Sequence, residues 1–337
     1  MKTFWDMSSL ASSYWGMYAV QTVLHALIAS MLVDCALLCW GMRTPEVKQR
    51  FRFLVIFLPA VAFPLYQLID PGRGNVYFRL ESLLDSNKLF FLEVGGLPVF
   101  LLIVVILAIS SLIFFVQELV PIILQMTEQM RGPVAPVAEE VDEAVELKVS
   151  KALEDLPFDE EAVEVLNDED LMIFSSTGLH PRIYLSAGII KAFSPEQLQA
   201  ALAHEIGHIQ RSRKPFLIVA YVLRVFMFYN PVAMFEFRKL AQEEEEVCDD
   251  FAVALTGKPE ALSEAVDILR PTAEDYDVGA GRGRVRNVAS AIEYHSHNAL
   301  MKSRMLRIAQ PGQDDSPWKV PYAVTLALIV GINYFVV

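Results

Sequence analysis

Residues 194–211 read Ser194-Pro-Glu-Gln-Leu-Gln-Ala-Ala-Leu-Ala-His204-Glu-Ile-Gly-His208-Ile-Gln-Arg211. The serine, proline and glutamate that open this stretch are preferred at a helix N-cap, at the first helical position and in the first turn, respectively. Apolar residues then recur at helical spacing. We therefore predict a helix from Pro195 to about Arg211, which carries two histidines in its second half.

The motif His204-Glu205-Ile206-Gly207-His208 has the pattern HExxH. Two histidines four residues apart lie one turn apart on the same helix face, so their ring nitrogens can bind one metal ion. The glutamate between them lies near the open coordination position, where it can take a proton from a metal-bound water. The pattern predicts a zinc hydrolase with Glu205 as general base. The alternative is a helix with two incidental histidines.

A catalytic zinc ion takes three protein ligands and leaves a fourth position for water. Candidates for the third ligand lie in the acidic run Glu243–Asp250, on a second predicted helix. Glu245 and Asp249 lie four residues apart on one face, so the first can bind the ion while the second orients a ligand histidine. Glu246 and Asp250 have the same spacing and remain an alternative, as does a solvated acidic face. Six carboxylates in eight residues repel each other, and a metal ion would supply the opposite charge.

The composition indicates that part of the chain lies in a membrane. Of 337 residues 54% are hydrophobic, and the mean hydropathy is +0.36. The formal net charge of −13 argues against a nucleic-acid partner, and three cysteines provide no disulfide framework. A transmembrane helix needs about 20 residues. We predict four, with the lipid bilayer as partner, in Trp15–Trp40, Phe53–Ile69, part of Leu89–Leu124 and Trp318–Val337.

Basic residues between the first two predicted spans indicate the orientation. Residues 43–52 contain four arginines or lysines and one glutamate, so this loop should be cytoplasmic. We therefore expect a mainly α membrane protein in which three transmembrane helices (1–130) precede a cytoplasmic α+β zinc-peptidase domain (131–317). This domain is inserted before a fourth, C-terminal transmembrane helix (318–337).

Further elements are predicted within this domain. Apolar periodicity predicts helices over about 141–156 and 232–255, and residues 171–175 and 182–186 read as two short strands. We expect the second strand, Arg182-Ile183-Tyr184-Leu185-Ser186, to be an edge strand that holds a protein or peptide substrate by strand addition.

Several segments resemble the integral-membrane gluzincins, above all the peptidase family of the BlaR/MecR β-lactam receptors. The HtpX-like proteases are more distant relatives in the same group. The resemblance rests first on Gly178-Leu-His-Pro-Arg-Ile-Tyr-Leu-Ser-Ala-Gly188, Ser194-Pro-Glu-Gln-Leu and Ala-His204-Glu-Ile-Gly-His208-Ile-Gln-Arg. It continues in Asn230-Pro231, Glu245-x-x-Cys-Asp249 and Ser303-Arg304-Met-Leu-Arg307-Ile.

The resemblance implies zinc bound by His204, His208 and Glu245, with Glu205 as general base and Asp249 orienting a ligand from outside. It favours Glu245 over Glu246, and it implies a bacterial cytoplasmic (inner) membrane. The β-lactam receptors carry a penicillin-binding sensor after their last span. Because this chain ends at Val337, we expect no direct β-lactam sensing.

The apolar stretch Pro215–Phe235 resembles a further span, but a single crossing would place His204 and Glu245 on opposite sides of the membrane. Ligand atoms of one zinc ion lie within about 2 Å of it. We therefore expect this stretch to be re-entrant, interfacial or buried, and the zinc site to lie close to the cytoplasmic membrane surface.

Together these features predict a membrane-embedded zinc-dependent endopeptidase that cleaves a protein at the cytoplasmic membrane face, in regulated proteolysis or membrane-protein quality control. One alternative is a non-catalytic zinc-containing signal transducer, and another is a membrane protein without metal. For the group that stabilises the oxyanion, the candidates are His180, His295 and His297.

Overall fold

The computed structural model describes residues 13–86, 88, 92–120, 143–176, 180–212, 216–270, 299–309 and 317–337. The chain forms two compact units, one of residues 1–132, 215–244 and 313–337, the other of residues 133–214 and 245–312. The helices are α1 Tyr14–Cys39, α2 Pro45–Ile69, α3 Val76–Glu81, α4 Val99–Phe114, α5 Glu143–Leu153, α6 Ala187–Ala192, α7 Pro195–Ser212, α8 Phe216–Phe226, α9 Pro231–Thr256, α10 Pro259–Ile268, α11 (299–309) and α12 Lys319–Tyr334. The strands are β1 Glu93–Val94, β2 Leu97–Pro98, β3 Val163–Leu166, β4 Ile173–Ser176 and β5 Arg182–Ser186.

The first unit contains the helices that are long and apolar enough to cross a membrane. By length and composition these are Tyr14–Cys39, Pro45–Ile69 and Val99–Gln117. They support the first three predicted spans. The second begins eight residues before the predicted Phe53 and continues through Pro59 and Pro64, since neighbouring groups can satisfy backbone carbonyls that a proline frees.

The predicted fourth span is shorter than expected. α12 has 16 residues, about 24 Å at 1.5 Å per residue, against a hydrocarbon core of about 30 Å. A fourth crossing therefore stays a prediction.

The apolar stretch Pro215–Phe235 forms more than one element. Pro215 lies outside the described residues. α8 has 11 residues, about 16 Å, which is roughly half the hydrocarbon core. Ala220 and Arg224 on one face of α8 are buried, while Ile218 and Val222 are exposed. After a turn, Asn230 caps α9 by accepting hydrogen bonds from the N–H groups of residues 232 and 233.

The first unit also provides hydrogen-bond partners for the start of the acidic run. Arg52 donates to Glu243 at 2.6 Å and to the fully buried Glu236 at 2.9 Å. Gln49 donates to Glu244 at 2.7 Å. Arg52 therefore compensates the charge of one of the six clustered carboxylates, Glu243, while Gln49 gives Glu244 a hydrogen bond without an opposite charge.

A three-stranded sheet lies in the second unit, in the order β3-β5-β4. β3 pairs parallel with β5, whereas β4 pairs antiparallel with it. The prediction that Arg182–Ser186 is an edge strand is therefore wrong. β5 is the central strand, both of its hydrogen-bonding edges are occupied, and Ile183 and Leu185 on it are fully buried.

Strand β3, which occupies the second edge of β5, was not predicted from the sequence. Val163-Glu-Val-Leu166 lies within a stretch whose acidic residues obscure a short alternating pattern. The other predicted elements are confirmed within a few residues: α5, β4, β5, α7 and α9. Gly257 ends α9 with φ +66°, a conformation that glycine adopts without strain.

Candidate metal centre

Helix α7 positions the HExxH motif between the protein core and a cavity. Its start is a capping box, in which the N–H of Gln197 donates to Ser194 Oγ at 3.2 Å and the N–H of Ser194 donates to Gln197 Oε1 at 2.8 Å. Leu198 and Leu202 anchor the helix in the core with no exposed surface. His204, Glu205 and His208 line the cavity.

Gly207 allows α7 to approach α9 closely. A Cβ atom at this position would lie 3.2 Å from Cδ1 of Phe251 and 3.5 Å from the Cα of Cys248. Even an alanine would require the ring of Phe251 to shift by a few tenths of an ångström. The glycine inside the motif thus brings the helix with the histidines next to the second unit's part of α9.

Glu245 on α9 meets both histidines. Nε2 of His204 lies 3.1 Å from Nε2 of His208 and 3.5 Å from Oε2 of Glu245. Nε2 of His208 lies 3.4 Å from Oε1 of Glu245. Tetrahedral ligands at about 2.1 Å from a zinc ion are about 3.4 Å apart. The two contacts reach different oxygens of Glu245, and one ligand atom from each of the three side chains lies within 4.8 Å of the others, which is close enough for a shared ion.

The second ring nitrogen of each histidine also has a neighbour. Nδ1 of His204 lies 2.9 Å from Oδ1 of the buried Asp249. Nδ1 of His208 lies 3.4 Å from Sγ of Cys248. A carboxylate at Nδ1 fixes the orientation and tautomer of a ligand histidine, so that Nε2 of His204 is left for a metal ion.

The alternative carboxylates have other partners. Glu246 and Asp250 contact Arg307 of α11, at 3.3 Å and 2.7 Å respectively. The structure thus brings Glu245 to the histidines and Glu246 to an arginine.

Close contacts shift the pKa values of the cluster. Burial alone would lower the pKa of His204, but hydrogen bonds with Asp249 and Glu245 outweigh it and raise the pKa to about 9. Burial would raise the carboxyl pKa of Glu245 and of Asp249, but hydrogen bonds with His204 bring each to about 2. The carboxylates therefore favour positive charge at this position.

A cavity of about 440 Å³ opens beside the cluster. β4 forms part of its wall, through Ile173, Phe174 and Ser175. The remaining wall is mostly apolar and comes from α10, α11 and the residue after α10: Leu262, Ala265, Val266, Leu269 and Met301, with Arg304 among them.

The two helices that form this wall are not among the elements predicted from the sequence. α10 has recognisable signals, since Pro259 and Glu260 open it and apolar residues follow at helical spacing. Residues of α11 were noted only for a resemblance. Of the oxyanion candidates, His180 is exposed and is not part of the cavity wall, whereas His295 and His297 lie outside the described residues.

Part of the chain that includes the histidine motif is similar to a known peptidase family. Residues 98–261 match the family model of the BlaR1 peptidase M56 family. This segment belongs to the M56 peptidase family. The match confirms the resemblance to a BlaR/MecR-type membrane metallopeptidase, and the M56 segment includes α4, α7 and α9. A comparison with curated proteins gives no match.

Proposed function

We propose that the protein is a zinc-dependent endopeptidase that acts on proteins at a membrane surface. The observation that carries the proposal is the meeting of His204, His208 and Glu245, whose ligand atoms lie within 4.8 Å of one another beside Glu205 and a cavity. Two imidazoles and a carboxylate are a donor set typical of catalytic zinc. Their ligand atoms are close enough together to bind one ion.

The chain's own residues supply the remaining chemistry. Zinc at this site would act as a Lewis acid that polarises the scissile carbonyl and lowers the pKa of water. Glu205 takes the proton from the attacking water on its carboxylate and passes it to the leaving amine nitrogen. Asp249 contacts Nδ1 of His204 and would thereby leave Nε2 to bind the ion.

We place the site at the cytoplasmic face of a bacterial inner membrane. The basic loop of residues 43–52 supports this orientation. The three apolar helices and the M56 match support membrane attachment. The substrates we propose are regulatory or misfolded membrane proteins.

Metal removal and return test the function directly. We expect the purified full chain to contain one zinc per chain and to cleave an unfolded protein such as casein. A chelator should remove the zinc and abolish cleavage, and added zinc should restore the zinc content and the cleavage. Zinc content is measured by mass spectrometry and cleavage by gel electrophoresis. Zinc-loaded protein that leaves a panel of unfolded proteins and membrane-protein fragments intact would contradict the endopeptidase proposal.

Because β5 is the central strand and has no free edge, the edge that we propose for substrate binding is that of β4. Among the described residues, β4 has a paired strand on one side only. The N–H of Ser186 donates to the carbonyl of Met172 at 3.0 Å, so hydrogen-bonded pairs alternate along this antiparallel ladder from that point. The backbone groups of Ile173 and Ser175 therefore point away from β5. Both residues line the cavity, which places the free edge beside the metal centre.

Ser175→Pro should lower kcat/KM by about 5–10-fold, the equivalent of one lost hydrogen bond of about 1 kcal/mol. Proline removes the outward N–H but is tolerated on a strand edge. Ser175→Ala is the matched control, since it removes the hydroxyl and keeps the N–H. Steady-state cleavage of a peptide measures both. Equal losses in the two variants, or none in the proline variant, would contradict substrate binding along this edge.

A further inference from the structure

Helix α11 carries two arginines one turn apart, and both grip carboxylates of α9. Arg304 donates to Asp249 through Nε and Nη2, at 2.9 Å and 2.8 Å. Arg307 donates to Asp250 through Nη1 and Nη2, at 2.8 Å and 2.7 Å. On another face of α11, Ile308 is buried in the core cluster of the second unit. The helix therefore presents two similar arginine–aspartate pairs to α9.

Only one of these pairs continues to a histidine of the metal centre. Oδ1 of Asp249, which accepts from Arg304 Nη2, also lies 2.9 Å from Nδ1 of His204. The remaining nitrogen of Arg304, Nη1, lies 3.1 Å from Oε2 of Glu245. One guanidinium thus contacts both carboxylates that act at the site, and 17% of its side chain is exposed.

We propose that Arg304 is a positioning residue of the metal centre. This inference rests on the zinc site proposed above. Its planar fork fixes the carboxylate of Asp249 so that Oδ1 faces His204, and its third nitrogen holds Glu245 beside the histidines. Arg304 lies beyond residue 261, where the match to the M56 family ends. Because Arg304 contacts both Asp249 and Glu245, the proposed metal centre includes α11, a helix outside the matched segment.

The shape of the guanidinium, and not its charge alone, is what this role requires. A free glutamate side chain occupies many rotamers, and ordering it on metal binding costs conformational entropy. A fork with fixed donor directions removes part of that freedom before the ion arrives. Lysine keeps the positive charge but cannot make the two parallel hydrogen bonds.

The test compares Arg304→Lys with Arg307→Lys in the full chain. We expect Arg304→Lys to weaken zinc binding by about 10–100-fold, as is typical when a partner of a metal ligand is lost. Arg307→Lys makes the same change in the neighbouring pair and should stay within about twofold of wild type. Zinc affinity is measured by competition with a chromophoric chelator. The visible spectrum of the Co²⁺-substituted protein should change only in Arg304→Lys.

Unchanged zinc affinity in Arg304→Lys overturns the inference and leaves the proposed function intact. An equal loss in both variants also overturns it, since the cause would then be the docking of α11 as a whole. A wild-type chain that binds no zinc overturns the proposed function as well. If Arg304→Lys melts below the assay temperature, Asp249→Asn replaces it, because this change removes the charge that the fork grips. Wild-type zinc affinity in Asp249→Asn would equally overturn the inference.

Discussion

Glu205→Gln should lower kcat by about 10²–10⁴-fold, the range that general-base catalysis typically contributes. Glutamine has nearly the same shape as glutamate but cannot accept the proton of the attacking water. Glu205 is not one of the three residues whose ligand atoms cluster. The zinc content should therefore stay at one per chain and the melting temperature should change little.

The matched control for this change is Glu260→Gln, which removes one carboxylate from an exposed position on α10. It should cleave substrate like wild type. Steady-state kinetics measure kcat, and elemental analysis of the same preparations measures the zinc content. Wild-type turnover in Glu205→Gln would exclude Glu205 as the base, and lost zinc would mean that it has a role in metal binding instead.

The sequence was most informative where local rules and chemistry agreed. The capping residues from Ser194 to Gln197 predicted the start of α7, and the four-residue spacing of His204 and His208 predicted that the two rings lie side by side. Both are properties of a single helix, so no knowledge of distant contacts was needed.

Contacts between distant segments were less accessible. The pairing of β3 with β5 joins residues about 20 positions apart and turned an expected edge strand into a central one. Nothing in Arg182–Ser186 alone distinguishes these positions, because both require alternating burial. The free edge of β4 became visible only with all three strands in place.

The carboxylates of the acidic run have partners that their charge alone did not predict. We expected a metal ion to relieve the repulsion among the carboxylates of Glu243–Asp250. The structure instead provides Arg52 for Glu243, Arg304 for Asp249 and Arg307 for Asp250. Only Glu245 is near both histidines of the motif. The charge density of the run therefore did not distinguish Glu245 from its neighbours. The four-residue spacing did not distinguish it either, because Glu246 and Asp250 share that spacing, and only the family resemblance favoured Glu245.

Glu245→Ala should weaken zinc binding by more than the 10–100-fold that is typical when a partner of a ligand is lost, because it removes one of three proposed ligands. Glu246→Ala is the control that the chain itself offers. The two residues are adjacent on α9, carry the same charge and undergo the same truncation, so changes in helix propensity and net charge are equal. Glu246 contacts Arg307 and should be dispensable for zinc.

Zinc affinity, measured by competition with a chromophoric chelator, separates the two variants, and circular dichroism checks that both keep their helices. If Glu246→Ala loses the metal while Glu245→Ala retains it, the ligand assignment is wrong by one position along the helix. Because one residue corresponds to a rotation of about 100° around an α-helix, Glu246 could bind the ion only if α9 were turned relative to α7. The distances of 3.4 Å and 3.5 Å between Glu245 and the two histidines would then not describe the metal-bound protein.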